Sequence, residues 1–80
     1  MAALIEVRAR RDKEGNLVPL DCILGDKKYQ VLGIGRRWQA EDGVHIMVMF
    51  PGDRAVELLH RTDGTWMFLK DHSAKQDRLV

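Results

Sequence analysis

Five turn signatures punctuate the 80-residue chain: Asp12-Lys13-Glu14-Gly15-Asn16, Gly25-Asp26, Glu41-Asp42-Gly43, Pro51-Gly52-Asp53 and Thr62-Asp63-Gly64. Gly, Asn and Asp reverse a chain because they tolerate left-handed backbone and form local side-chain bonds. The segments between these turns are short and rich in Val, Ile, Leu, Trp and Phe. That rhythm predicts consecutive antiparallel hairpins.

Within the segments the alternation is period two. Ala3–Arg10 puts Ile5, Val7 and Ala9 on one face and Leu4, Glu6, Arg8 and Arg10 on the other, as a strand buried on one side requires. Leu17–Leu24 is the second strand; Pro19 has no N–H to give a ladder and marks an edge or a bulge. Lys27–Trp38 reads as one long third strand in which Gly33 and Gly35 allow a bulge or bend. Val44–Phe50 is apolar on nearly both faces, so a central strand is expected there. Arg54–Arg61 fits either a strand or a short helix capped by Asp53, and the Thr62–Thr65 turn favours the strand. Trp66–Leu69 is the last strand, followed by a polar, non-periodic tail from Asp71 that is expected to fray.

The predicted fold is therefore all-β: a small curled antiparallel meander, or SH3-like barrel, of five to six strands spanning residues 1–70. Closure follows because an open sheet of this size leaves edges to aggregate. Its expected core is Tyr29, Val31, Val44, Ile46, Val48, Leu58, Trp66 and Phe68.

Composition narrows function without naming it. An apolar fraction of 45% and a charged fraction of 31% suit a folded domain. Residues 1–40 carry eight basic and five acidic side chains, and residues 41–80 carry five and seven, a mild polarity that favours an anionic partner for the first half. Cys22 is the single cysteine, read as packing, so an internal disulfide is excluded. The chain shows neither a leader nor a spanning apolar stretch, and a cytoplasmic setting without membrane contact is expected.

No catalytic pattern stands out. Gly33-Ile34-Gly35 lacks the third glycine and helix of a dinucleotide loop. His45, His60 and His72 are too far apart in sequence for a compact metal set; Ser73 follows His72 only in the polar tail, and no nucleophile–base arrangement stands out. The expectation is a non-enzymatic protein without metal or cofactor. Arg36-Arg37-Trp38 is the best binding candidate, two guanidiniums for phosphates beside an indole for a base, extended by Arg8 and Arg10. The partner is then a nucleic acid or a protein. The alternative is a self-associating domain in which Met47, Met49 and Leu59 pair strand faces across a homodimer.

The arrangement Asp12…Gly15…Pro19, Gly25-x-x-x-Tyr29-x-Val31, Trp38, Glu57-Leu58 and Trp66-x-x-Leu69 resembles a family of small uncharacterised bacterial domains, over roughly Leu4 to Leu69. This chain departs from that pattern at Leu20, Cys22 and Val56, where aromatics are expected. Some members lie beside or are joined to translesion-polymerase and repair genes. The resemblance thus implies a DNA-repair association and carries no catalytic residue over.

Overall fold

A computed structural model describes residues 3–72. Those residues form seven strands and no helix: β1 (Ala3–Arg11), β2 (Leu17–Leu24), β3 (Lys27–Gln30), β4 (Gly33–Ala40), β5 (Gly43–Phe50), β6 (Arg54–Arg61) and β7 (Trp66–Asp71). All pairings are antiparallel, in the spatial order β3-β2-β1-β7-β6-β5-β4. The five turn signatures become the five hairpin turns, each with one glycine at positive φ.

The chain's own connectivity forces the sheet to curl. β3 and β4 lie at opposite ends of the strand order, yet only Val31 and Leu32 separate them. Three Cα steps cover at most about 11 Å, whereas six strand spacings of a flat sheet would need about 29 Å. The two ends must therefore approach, and the sheet is a curled half-barrel. The link is tied to both sides: Val31 N–H donates to Leu20 O (2.9 Å) and Leu32 N–H to Met49 O (2.7 Å).

This link corrects the sequence reading, which ran one strand from Lys27 to Trp38 and so expected five or six strands. A glycine-tolerant stretch with no turn signature breaks into two strands because the chain changes sheet edges there. The bend attributed to Gly35 is present as an irregularity in the β4–β5 ladder between Ile34↔Val48 and Arg37↔Ile46, so that Gly35 and Arg36 lie across from Met47. A second shift between Arg8 and Ala9 places Leu20 as the extra residue beside Pro19, where the missing N–H made a bulge expected. Arg54–Arg61 is a strand.

The core lies inside the curl. Ile46, Val48 and Phe50 of β5, Val56 and Leu58 of β6, Trp66 of β7 and Cys22 of β2 are buried together. Tyr29, Val31, Val44 and Phe68, expected in the core, are half-buried and pack around it, while Cys22, Phe50 and Val56 take the interior. Phe50 faces inward at the end of a strand and stacks on Tyr29, ring centroids 5.2 Å apart. Arg54 lies 5.5 Å over the Tyr29 ring and bonds Asp71 (2.8 Å), pinning that end of the barrel. The tail expected from Asp71 is anchored at its start, since β7 includes Asp71 and His72 N–H donates to Ala55 O (2.7 Å). The remainder of that tail, residues 73–80, lies outside the described residues.

Candidate functional site

β4 and β5 join through the two-residue turn Glu41-Asp42, which sets Trp38 opposite His45 on the outer face of the sheet. The rings stack, with centroids 5.2 Å apart and planes 16° from parallel. Arg36, brought to the same face by the Gly35–Arg36 bulge, places its guanidinium 5.1 Å from the Trp38 ring centre. An exposed cation, an indole and an imidazole thus form one platform across β4, the strand that ends the sheet, and its neighbour β5.

Carboxylates hold the imidazole on both sides. His45 Nδ1 lies 2.8 Å from Glu57 Oε2, and Nε2 lies 2.9 Å from Asp42 Oδ1. A neutral imidazole has one donor, so two carboxylate partners require both nitrogens to be protonated. Burial opposes the charged ring, but the bonds to Glu57 and Asp42 outweigh it and raise the His45 pKa above its ordinary value. Asp42 is held below the usual carboxylate range by its bond to His45. Glu57 is also lowered: burial raises it, and the bonds from His45 and His72 more than compensate. His72 Nε2 donates to Glu57 Oε1 at 3.0 Å, continuing the network from β5 across β6 to the end of β7. Each of these groups is satisfied by another, so the network fixes the platform's shape; Arg36 and Asp42, whose side chain is 56% exposed, are its charges at the surface.

The other predicted binding residues are dispersed. Arg37 alternates to the inner face, where its Nη2 donates to Leu17 O at 2.7 Å, tying β4 to the start of β2 across the seam. Arg8 donates through Nε and Nη2 to Oδ2 of Asp21 (3.1 and 2.6 Å), and that carboxylate is nearly buried. Arg10 is exposed on β1, paired through its backbone with Val18, and its side chain has no hydrogen bond to a described residue. β1 is separated from β4 by β7, β6 and β5 in the strand order, so Arg8 and Arg10 do not extend the Arg36–Trp38 platform through the sheet. Of the proposed dimer residues, Met49 is 40% exposed and Met47 half-buried, whereas Leu59 is already covered within its own chain at 4%.

Sequence reasoning missed His45, Asp42 and Glu57. The signal was the turn: a two-residue reversal at Glu41-Asp42 fixes the pairing, and counting back from it sets Trp38 against His45. Among the described residues no group of three or more His, Cys, Asp or Glu could hold a metal ion, and no helix is long and apolar enough to cross a membrane. Comparison with family models, curated proteins and solved structures finds no match to this chain.

Proposed function

We propose that this protein is a small binding module, holding a partner rather than transforming it, and that single-stranded nucleic acid lies across the outer face of β4 and β5. The reading rests on one observation: Arg36 beside the Trp38 ring on the terminal strand of the sheet. An indole accepts any base by stacking, worth about 1–3 kcal/mol per base, and a neighbouring guanidinium serves the phosphate. The Asp42–His45–Glu57 bonds hold the stacked imidazole in place beneath that surface. Arg37 belongs to the interior and takes no part. A DNA-repair setting in the cytoplasm of a bacterial cell is the context that the family resemblance suggests for such a module.

Anisotropy titrations of labelled single-stranded and duplex oligonucleotides at about 50 mM salt, where electrostatic binding is strong, test the reading. Binding that prefers the single strand and is lost in both Trp38→Ala and Arg36→Gln is expected, with melting curves confirming that both variants fold. No binding by the folded parent overturns it.

A second reading has its own observation. Leu32 (63% exposed) and Ile34 (36%), two positions apart at the start of β4, leave an apolar patch at the end strand of the sheet. Such a patch suits self-association. Sedimentation of the parent against Ile34→Lys distinguishes it: a dimer lost in the variant supports that reading, and a monomer at all concentrations removes it.

A further inference from the structure

Away from the outer platform, a cavity of about 140 Å³ opens between the β1–β2 hairpin and β4. Its floor is apolar, from Leu17, Val44 and Ile46, and its polar wall is Arg11, Asn16, Arg37 and His60. No carboxylate lines it. The protein itself leaves this wall incompletely satisfied. Arg37 Nε is buried with no hydrogen-bond partner, although Nη2 of the same guanidinium is held by Leu17 O. Arg11 uses Nη1 on Gly15 O (2.6 Å). His60 lies against Trp66, centroids 4.6 Å apart and planes tilted by 45°, with no hydrogen bond from either ring nitrogen to a described residue.

A buried donor without an acceptor costs about as much as a lost hydrogen bond, so the buried Nε of the half-buried Arg37 points to a missing acceptor. Two guanidiniums around an apolar floor, with no acid in the lining, select an anion. The nearest acids are engaged elsewhere. Asp12 feels the Arg37 charge, but its Oδ1 accepts the Glu14 and Asn16 N–H groups at 2.9 Å each. Asp63 acts on His60 through space while its Oδ1 accepts from Thr65 N–H and Oγ1. Burial, then the Arg11 charge, lowers the His60 pKa and favours a neutral ring that can donate one proton to a ligand oxygen.

We infer that this seam cavity is a binding site for a small oxyanion, a carboxylate carried on a short apolar stem. The head lies against Arg37, Arg11 and His60, and the stem lies on Leu17, Val44 and Ile46. The volume, room for several waters, admits such a group and not a bulky ligand. A small turn of the Arg37 guanidinium about its bond to Leu17 O brings Nε onto the carboxylate. This site is independent of the nucleic-acid platform: it faces the interior and shares none of its residues.

The test is titration of the intact 80-residue protein with acetate, butyrate and inorganic phosphate, against sodium chloride at matched ionic strength, followed by amide and arginine Nε–H resonances. The expected result is a saturable shift at Arg37 Nε, His60 and Leu17, with Arg36 and Arg10 unmoved and butyrate tighter than acetate. Arg11→Gln, an exposed substitution that leaves the seam bond intact, should weaken butyrate at least about tenfold through loss of a charge-assisted contact. Arg37→Gln should abolish the saturable response; its melting curve shows whether the barrel remains closed, and Arg11→Gln decides the question if it does not. Shifts no different from chloride, or butyrate binding unchanged in Arg11→Gln, overturn the site. Saturation by phosphate alone overturns the carboxylate assignment.

Discussion

Replacing Gly43 by alanine tests how the two halves of the functional surface are held. Gly43 opens β5 with φ +140°, in a region of backbone that L side chains rarely adopt. A methyl group there would overlap the His60 carbonyl and sit 2.9 Å from Arg61 Cα, both backbone atoms of β6 that cannot swing aside. The strain costs about 1–3 kcal/mol, and the forced separation of two paired strands costs about as much again. Together they reach about 2–6 kcal/mol, against a total stability of about 4–12 kcal/mol for a domain of this length. At about 4–8 °C per kcal/mol, melting should fall by at least about 8 °C. Gly52→Ala is the matched control, with φ +84° but no atom within 4 Å of the added carbon, so strain acts there without overlap. Thermal unfolding followed by circular dichroism reads both. If Gly43→Ala melts within a few degrees of Gly52→Ala, the close approach of Gly43 to His60 is not what sets β5 against β6. The same contact positions His45 outside and His60 inside, so a folded Gly43→Ala should also weaken ligand binding on both faces.

Cys22 is fully buried, and burial, then the Asp21 charge, pushes its thiol up to about 11. Thiol reagents at neutral pH should label it only as fast as the domain opens; immediate labelling of the folded protein would contradict its place in the core. Phe50→Ala should cost about 3–5 kcal/mol by emptying a buried site, and near-wild-type melting would remove Phe50 from the core. His45, raised above 6.5, contributes fully below that pH and loses its contribution as pH rises through its raised value. Asp42 and Glu57, lowered from 3.8 and 4.5, lose theirs as pH falls through their depressed values. Melting temperature should therefore decline above pH about 6.5, and His45→Gln should flatten that alkaline limb; an unchanged limb places its origin elsewhere.

Most of the fold was legible because local chemistry decides it. Each hairpin turn carries its own Gly, Asp or Asn, and period-two alternation assigned Ile5, Val7 and Ala9 to the inner face they occupy. Two features were not legible. The β1–β7 pairing joins Ala3–Ile5 to Trp66–Phe68 across nearly the whole chain, and no local signal encodes such a contact. The break at Val31-Leu32 carries no turn residue, since its cause is the closing of the sheet. The site followed the same division. Arg36-Arg37-Trp38 was visible as a cluster, but adjacent strand residues point to opposite faces. One guanidinium therefore went to the outer platform and the other to the seam cavity. His45 and His60 looked like isolated histidines because their partners, Glu57 and Trp66, come from other strands.

Trp38 fluorescence gives the most direct test of nucleic-acid binding. In a Trp66→Phe background Trp38 is the only indole, and a single-stranded oligonucleotide titrated at low salt should quench it saturably as a base stacks. The affinity should fall with salt at a log–log slope of about −0.7 per phosphate contact and collapse in Arg36→Gln. Unchanged Trp38 emission while the folded protein binds the strand, or no binding at all, would contradict the account.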